Sequence, residues 1–190
     1  MSVIPSSAKA GDSALEALVD AAAANTEWPG EWPAPPAGAR VHGIELEMRE
    51  VERARRARLT GMTHGDIRTA AFDECDACVI LDVLHYLEPA SQDDVLARVR
   101  ASLADGGILL LRIADRAQAW RFALTMAADR LGMLMRGDRH GRYYCRTLAE
   151  WRERLERLGF AVEAVPMSVG TPFANVLLLA RYHRAVPRPA

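Results

Sequence analysis

Residues 72–87 read FDECDACVILDVLHYL, and the apolar run within this stretch decides the fold class. The run Cys75–Val83 ends in consecutive apolar residues, as expected of a strand buried on both faces of a parallel sheet. A second such run, Ile108–Ile113, follows the pair Gly106–Gly107. Between the two runs, Ser91–Leu103 has helical spacing, with Ser91 as its N-cap and the two glycines as its end. A buried strand, a helix and another buried strand indicate a β–α–β unit with parallel strands.

The same alternation extends in both directions from this unit. Upstream we predict a strand, a polar helix and a weak strand at Val41–Leu46, Met48–Arg58 and Gly61–Ile67. Downstream we predict two helices and then two strands at Arg116–Arg136, Leu148–Leu158 (opened by a Thr147–Glu150 capping box), Ala161–Met167 and Ala174–Tyr182. The last two strands are joined too closely for a crossover helix, so they form an antiparallel hairpin. The predicted fold is α/β: a Rossmann-like, mostly parallel sheet with helices on both faces and a C-terminal antiparallel hairpin.

The composition divides the chain into three parts. Residues 1–40 form an irregular N-terminal segment with one helix at Ala14–Ala24 and a Pro- and Trp-rich loop at Trp28–Gly38. Residues 41–183 form the α/β domain, and residues 184–190 form a tail that we expect to be disordered. In such sheets ligands bind outside the carboxyl ends of the strands, so the functional residues are sought there.

Composition and charge exclude several classes of protein. The 190 residues carry a formal net charge of −1, so we expect no nucleic-acid partner. The apolar stretches are too short to cross a bilayer, and the N-terminus lacks the apolar run of a signal peptide. The three cysteines are an odd number, which favours a reducing compartment. We therefore predict a cytoplasmic protein without membrane association.

Three acidic residues stand at predicted strand ends. Glu45 can accept both hydroxyls of a ribose, or it can be a solvated carboxylate near the start of the next helix. Asp66 can accept a hydrogen bond from an adenine amino group, with Ile67 covering the ring, or it can cap a turn. Asp82 interrupts an apolar run and needs either water or a bonding partner, because a buried unpaired carboxylate is costly.

His85 follows Asp82 and is the candidate general base, although a lone histidine is more often structural. Cys75 and Cys78 have the spacing of a metal knuckle, but no second Cys or His pair accompanies them. They also enter a strand, where residues three apart are expected to face opposite sides. We therefore predict no metal site.

The order and spacing of these motifs resemble the class I S-adenosylmethionine-dependent methyltransferases, from Val41 to about Arg181. Residues 41–55, VHGIELEMREVERAR, resemble the family's second strand, its ribose-binding acid and the following helix. Gly65-Asp66-Ile67 resembles the adenine-contact motif, and residues 72–87 resemble the fourth strand with the segment between cofactor and acceptor. Residues 103–111, LADGGILLL, resemble the passage from helix through Gly-Gly to the fifth strand. Residues 147–160 and the two strands after them resemble the closing helix and hairpin.

The resemblance implies an enzyme that transfers a methyl group from S-adenosylmethionine to a small molecule. It implies cofactor-binding roles for Glu45, Leu46, Asp66, Ile67 and Asp82. The stretch between the fifth strand and the closing helix would cover the acceptor. Its large apolar and aromatic side chains suggest an apolar or aromatic acceptor, although most of them could simply pack: Trp120, Phe122, Met126, Met133, Met135, Tyr143 and Tyr144.

The sequence departs from the family at its N-terminal end. The family begins with a central strand and a glycine-rich loop, whereas this sequence contains no Gly-x-Gly, and Ser2–Pro5 reads as too short and polar for a central strand. Three explanations stay open: an internal start or frameshift, a degenerate gene, or a rebuilt N-terminus. A missing central strand leaves backbone unpaired on both neighbours. We therefore expect reduced stability, strand substitution or association with another chain, a homo-oligomer included.

Two other functions remain open at this point. The missing glycine loop allows a non-catalytic remnant or interaction module with a methyltransferase-like fold. A different nucleotide-binding enzyme of the same layout, such as a nicotinamide oxidoreductase, would also need a glycine loop and gains no support from Gly65-Asp66-Ile67.

Overall fold

The computed structural model describes residues 2–6, 40–57, 59, 61–136, 142–167 and 172–183. Within them, the strands are Ser2–Ser6 (β1), Arg40–Glu45 (β2), Met62–His64 (β3), Cys75–Leu81 (β4), Leu103–Ala114 (β5), Phe160–Pro166 (β6) and Asn175–Tyr182 (β7). The helices are Met48–Arg56 (α1), Pro89–Ser102 (α2), Ala119–Arg136 (α3) and Leu148–Arg157 (α4), with a 3-10 turn at Leu84–Tyr86. The predicted helix at Ala14–Ala24, the loop at Trp28–Gly38 and the tail lie outside the described residues.

All seven strands form one sheet in the order β3-β2-β1-β4-β5-β7-β6. The pairs β2–β3 and β4–β5 are parallel, while β1 is antiparallel to both of its neighbours and β7 to both of its own. Strands β2 to β6 therefore run in one direction, and only β1 and β7 oppose them. The Rossmann-like, mostly parallel sheet with a C-terminal antiparallel hairpin is confirmed.

Strand β1 corrects the expectation that Ser2–Pro5 cannot form a central strand. It pairs with β2 along its whole length, from Ser2 opposite Ile44 to Ser6 opposite Arg40. With β4 it pairs only at Ser2 and Val3. In the described residues, an antiparallel strand lies between β2 and β4, and strand substitution is one of the three outcomes that the sequence analysis left open. Pairing with β1 gives hydrogen-bond partners to backbone groups of β2 and β4 that would otherwise be unpaired. The free energy gained in this way outweighs the poor strand propensity of serine and proline.

Two predicted boundaries around α2 are wrong. The helix begins at Pro89 after Glu88, not at Ser91, because proline in the first turn has its φ preset and loses no helical hydrogen bond. It ends at Ser102, and β5 starts directly at Leu103, where the chain already pairs with Cys75 of β4. Gly106, with φ of +78°, therefore lies inside β5 at an irregular stretch of the ladder instead of ending the helix.

The core lies on both faces of the β4–β5–β7 region. On one face, strand residues such as Leu109 and Leu111 pack with the α2 and α4 side chains Val95 and Trp151. On the other face, a smaller cluster contains Val79, Ile108, Leu110, Met167 and Leu177. The continuous apolar runs recognised in the sequence supply both clusters, because alternate residues of a strand point to opposite faces.

Helix α4 is placed by the predicted capping box. The Thr147 hydroxyl accepts a hydrogen bond from the Glu150 backbone N–H, and the Glu150 carboxylate accepts one from the Thr147 backbone N–H. Gly159 follows the helix with φ of +87°, a conformation that glycine adopts without strain. In the parts of the chain that are described, no helix is both long and apolar enough to cross a membrane.

Candidate functional site at the carboxyl edge of the sheet

The carboxyl ends of the parallel strands bring three predicted site residues to one edge of the sheet. Glu45 ends β2, Asp66 follows β3 by two residues, and Asp82 follows β4 directly. Because β1 lies between β2 and β4, Glu45 and Asp82 are separated by two strand spacings, about 10 Å. Asp66 lies one strand beyond Glu45, so the three acids span about 14 Å along the edge.

Glu45 is half-buried between the end of β2 and the start of α1. Its Oε1 accepts a hydrogen bond from the backbone N–H of Glu47, 3.1 Å away. This contact restrains the carboxylate while leaving acceptor capacity on its two oxygens. Leu46 is half-exposed, and its carbonyl oxygen lies 2.8 Å from Nε2 of His64 on the neighbouring β3. Residues 45 and 46 are therefore restrained by two contacts, one with the backbone of Glu47 and one with the side chain of His64.

Asp66 lies in a tight turn after β3 and is already engaged by Arg68. The Arg68 backbone N–H donates to Oδ1 at 2.9 Å, and the Arg68 Nε and Nη2 groups donate to both carboxylate oxygens. The hydrogen bonds from the Arg68 side chain hold the pKa of Asp66 below its usual value of 3.8, so this group is ionised at neutral pH. Ile67 is buried beside it, at 8% exposure.

Asp82 has the partner that its apolar surroundings require. Its carboxylate accepts hydrogen bonds from Nε of Arg112, at 2.7 Å, and from Nη2 of the same side chain. Its φ is +55°, in the left-handed region that only Asn, Asp and Gly visit readily. Arg112 is a candidate site residue that was not predicted from the sequence. The sequence did contain a sign of this pair, because Asp82 and Arg112 carry opposite charges and interrupt two neighbouring apolar runs.

His85 lies in the 3-10 turn after Asp82 and belongs to an aromatic cluster. The His85 ring is 9% exposed, and its centroid lies 4.1 Å from that of Tyr86 and 5.7 Å from that of Tyr143. The two tyrosine centroids are 5.6 Å apart. These separations are in the range of favourable ring contacts. The cluster joins the turn after β4 to the segment before α4.

Gln92 holds these two segments together, and no signal in the sequence predicted its role. This side chain, in α2, is fully buried, and its amide nitrogen lies within 3.0 Å of the carbonyl oxygens of Leu84, Leu87 and Tyr144. The Tyr144 backbone N–H also donates to the His85 carbonyl oxygen at 2.8 Å. These hydrogen bonds therefore fix the backbone segments that carry the aromatic cluster.

A small cavity of about 10 Å³ lies behind this cluster, with room for a single water molecule. Leu84, His85, Arg112 and Cys145 are among its lining residues. His85 and Arg112, the partner of Asp82, therefore line the same cavity.

Cys75 and Cys78 are both buried in the core of the sheet. Both lie in the same core cluster, contrary to the expected opposite faces, because the register of β4 against β5 shifts between Cys75 and Ala77. Burial raises the pKa of the Cys75 thiol to about 11 and that of Cys78 further. Both are therefore protonated thiols at neutral pH. In the described ranges, no group of three or more His, Cys, Asp or Glu side chains suits a metal ion.

The sheet order defines a Rossmann-like α/β domain, with three acids along its carboxyl edge. The family model described as "Methyltransferase domain" matches residues 23–111. A comparison with curated protein sequences finds no match. The match covers 89 of the 190 residues.

Solved structures of methyltransferases share the fold. Magnesium protoporphyrin IX methyltransferase from Synechocystis PCC 6803, with bound SAH, is 20% identical with a TM-score of 0.54, and the alignment covers 77% of this chain and 65% of that one. The riboflavin-derivative dimethyltransferase RosA from Streptomyces davawensis is 22% identical with a TM-score of 0.52, over 79% of this chain and 40% of that one. Human N-acetylserotonin methyltransferase, in complex with SAM, is 21% identical with a TM-score of 0.50, over 65% of this chain and 34% of that one.

The resemblance found in the sequence is thus confirmed: the chain has the fold of the class I S-adenosylmethionine-dependent methyltransferases. S-adenosylmethionine is the cofactor of that family. The chain spans only 34% of the length of the human enzyme and 40% of that of RosA.

The described residues fit the adenosine half of this cofactor. Glu45 offers carboxylate oxygens for ribose hydroxyls, and Asp66 with buried Ile67 offers an acceptor and an apolar surface for adenine. The methionine half has no such cradle among the described residues. Because β1 runs antiparallel, its end at Ser6 lies beside Arg40, at the edge of the sheet opposite to Glu45.

Proposed function

We propose that this chain acts as an S-adenosylmethionine-dependent methyltransferase domain on a small, apolar or aromatic acceptor. The observation that carries the proposal is the position of Glu45, Asp66 and Asp82 along one sheet edge, in the order that the family uses, with an aromatic cluster beside Asp82. When bound, the cofactor supplies an electrophilic methyl group. The protein's task is then to align the acceptor with that group and to accept its proton.

On the cofactor side, Glu45 and Leu46 bind the ribose, and Asp66 and Ile67 bind the adenine. The adenine amino group has to compete with Arg68 for the Asp66 carboxylate, and the Arg68 side chain is 57% exposed and can swing into solvent. Asp82, fixed by Arg112, stands between the cofactor and the acceptor.

On the acceptor side, His85 is the general base. Tilted ring contacts and a backbone hydrogen bond hold it in place, so its imidazole is preorganised to take the acceptor's proton. Tyr143 and Tyr86 provide an aromatic wall for the acceptor. Trp120 was expected to cover the acceptor, but it is 66% exposed and lines no part of this cluster. Phe122 and Met126 are half-buried and remain candidates for the acceptor cover.

Transfer of an isotope-labelled methyl group to a panel of phenols, indoles and amines tests this function. We expect labelled product from at least one aromatic acceptor. His85→Gln should lower kcat by about 10²- to 10⁴-fold, the usual contribution of a general base, with cofactor affinity unchanged. The control is His183→Gln, an exposed histidine just after β7, which should retain full activity. Transfer that is equally fast in wild type and His85→Gln would exclude His85 as the base.

A second candidate is a non-catalytic module with this fold. It is favoured by one observation, the antiparallel β1, whose end at Ser6 lies at the edge of the sheet opposite to Glu45. Under this alternative the purified chain transfers no label to any acceptor and shows neither heat release nor a thermal shift with S-adenosylmethionine. Cofactor binding in the micromolar range would argue against it.

A further inference from the structure

Arg98 of α2 makes an unusual set of contacts with the segment that follows β3. Its Nη1 donates to the carbonyl oxygen of Ala70 at 2.7 Å, and its Nη2 donates to those of Ile67 at 2.8 Å and Arg68 at 3.0 Å. Its Nε donates to Asp94 at 2.8 Å, one helical turn earlier. One guanidinium therefore binds three backbone carbonyls of a four-residue stretch while its own helix holds it in place.

A ring contact completes the arrangement. The guanidinium carbon of Arg98 lies 4.9 Å from the centroid of Phe72, within cation–π range. Arg98 thus contacts residues 65–72 through their backbone carbonyl oxygens and through the Phe72 ring. Only the planar, forked guanidinium has enough donors at fixed angles to do this, and lysine does not.

Residues 65–72 contain no helix or strand. Thr69 and Ala70 donate to the Asp66 carbonyl, Arg68 donates to the Asp66 carboxylate, and the Gly65 N–H donates to the Glu45 carbonyl. Ile67 and Phe72 also pack in or against the core. The carbonyl oxygens of Ile67, Arg68 and Ala70 accept hydrogen bonds from the half-buried Arg98, so this side chain of another element restrains the backbone that carries Asp66 and Ile67.

We propose that Arg98 is a positioning residue for recognition of the adenine half of the cofactor. It fixes residues 65–72 so that the Asp66 carboxylate and the Ile67 side chain meet the base, without itself contacting the ligand. This inference rests on the proposed function, since it assigns adenine to that segment.

Arg100 provides a matched control on the same helix. It makes the same kinds of contact: it donates to the Leu158 carbonyl oxygen and to the Tyr182 hydroxyl, and its guanidinium carbon lies 3.9 Å from the Tyr182 ring centroid. These partners lie after α4 and in β7, on the far side of the sheet order from β3. Arg100→Gln therefore removes a comparable anchor without touching the adenine segment.

The test compares Arg98→Gln, Arg98→Lys and Arg100→Gln in the full chain. Isothermal titration gives the Kd of each for S-adenosylhomocysteine and for adenosine alone. We expect both Arg98 variants to bind the two ligands about tenfold more weakly, by a similar factor for each, as loss of one charged hydrogen-bond set predicts. Arg100→Gln should lower the melting temperature and leave both Kd values within about twofold of wild type. Equal weakening by Arg100→Gln, or an unchanged Kd in folded Arg98→Gln, would overturn the inference.

Amide hydrogen exchange gives a second readout that needs no ligand. In Arg98→Gln the amides of residues 66–72 should exchange faster, while those of β5 and β7 stay protected; Arg100→Gln should leave residues 66–72 unchanged. If wild type fails to bind S-adenosylhomocysteine, the proposed function fails, and the exchange data alone still decide whether Arg98 fixes this segment. Unchanged exchange of residues 66–72 in Arg98→Gln would overturn the positioning role whether or not the cofactor binds.

Discussion

The two halves of the sheet are built differently. The core half, strands β4, β5, β7 and β6, consists of strands seven to twelve residues long, and Leu109–Leu111, Leu177 and Leu178 are 0% exposed. The binding half, strands β3, β2 and β1, has strands of three to six residues. Of the side chains described on its strands, only Ile44 and Met62 are buried apolar ones.

The difference separates stability from recognition. Burial of apolar surface is the main favourable term in folding, and the core half contributes most of it. Under the proposed function, the binding half carries the recognition residues Glu45, Asp66 and Ile67. Hydrogen bonds from the Glu47 N–H and the Arg98 guanidinium restrain them, and Ile67 also packs in the core. Substitutions in the core half should therefore act on unfolding, and those at the edge of the binding half on ligand affinity.

The sharpest stability test compares Leu111→Ala with Met62→Ala. Leu111 is fully buried between two long strands, so its truncation should lower the free energy of unfolding by about 2–5 kcal/mol. Met62 is as well buried but lies on a three-residue edge strand, whose surroundings can collapse, so the loss should be about 2 kcal/mol or less. Urea denaturation followed by circular dichroism measures both. A larger loss for Met62→Ala would break the proposed division.

Asp82, at the boundary of the two halves, should give the next largest effect. Asp82→Ala leaves the largely buried Arg112 without its carboxylate and places alanine at φ of +55°, so we expect a loss of about 2 kcal/mol. Asp82→Asn keeps a residue that tolerates this φ and keeps one acceptor, and should lose less. If denaturant unfolding ranks the two variants equally, the backbone conformation at residue 82 carries no strain.

Thr147→Ala tests a local contact in the core half. It removes the hydroxyl that accepts the Glu150 N–H at the start of α4, which should cost about 1 kcal/mol of unfolding free energy. Thr147→Ser retains the acceptor and should stay close to wild type. A loss of the same size in both variants would show that the methyl group, and not the cap, supports the helix.

The smallest expected effect is the pH dependence of the same cap. The Thr147 backbone N–H and hydroxyl hold the pKa of Glu150 below its usual value of 4.5 in the folded state. The ionised carboxylate therefore stabilises the fold above about pH 4.5, and this contribution is lost as the pH falls through the lower, folded-state pKa. The difference in unfolding free energy between wild type and Glu150→Gln should be positive at pH 7 and shrink in acid. A difference that grows on acidification would contradict the assignment.

Features that depend on residues close together in the sequence were predicted, and features that depend on contacts between distant segments were not. The element order from β2 onwards and the Thr147–Glu150 cap were predicted correctly, because periodicity and capping lie within a few residues. Strand β1 was missed, since only its two neighbours in the sheet make Ser2–Ser6 a strand. The start of β5 was misplaced because Leu103 is recruited by pairing with Cys75, a contact between elements.

The same distinction applies to the site. Glu45, Asp66 and Asp82 were located from their place at strand ends, and the sheet does bring them to one edge. The residues that hold the site were not found, because Gln92 and Arg98 act through carbonyls of distant segments. Arg112 could have been predicted, because it is a charged residue inside an apolar run and Asp82 ends the neighbouring run. Roles for Leu46, Ile67 and His85 stay predictions until ligands are tested.

Titration of S-adenosylhomocysteine into wild type, Glu45→Gln and Glu52→Gln tests the central claim most directly, namely that the carboxyl edge binds the adenosine half of the cofactor. Glu52 is an exposed residue of α1, and its variant removes the same charge away from the edge. We expect one site with a Kd in the micromolar range for wild type and Glu52→Gln. For Glu45→Gln we expect binding weaker by about 10- to 100-fold, because charged hydrogen bonds are lost. No heat and no thermal shift with wild type, or an unchanged Kd in Glu45→Gln, would contradict it.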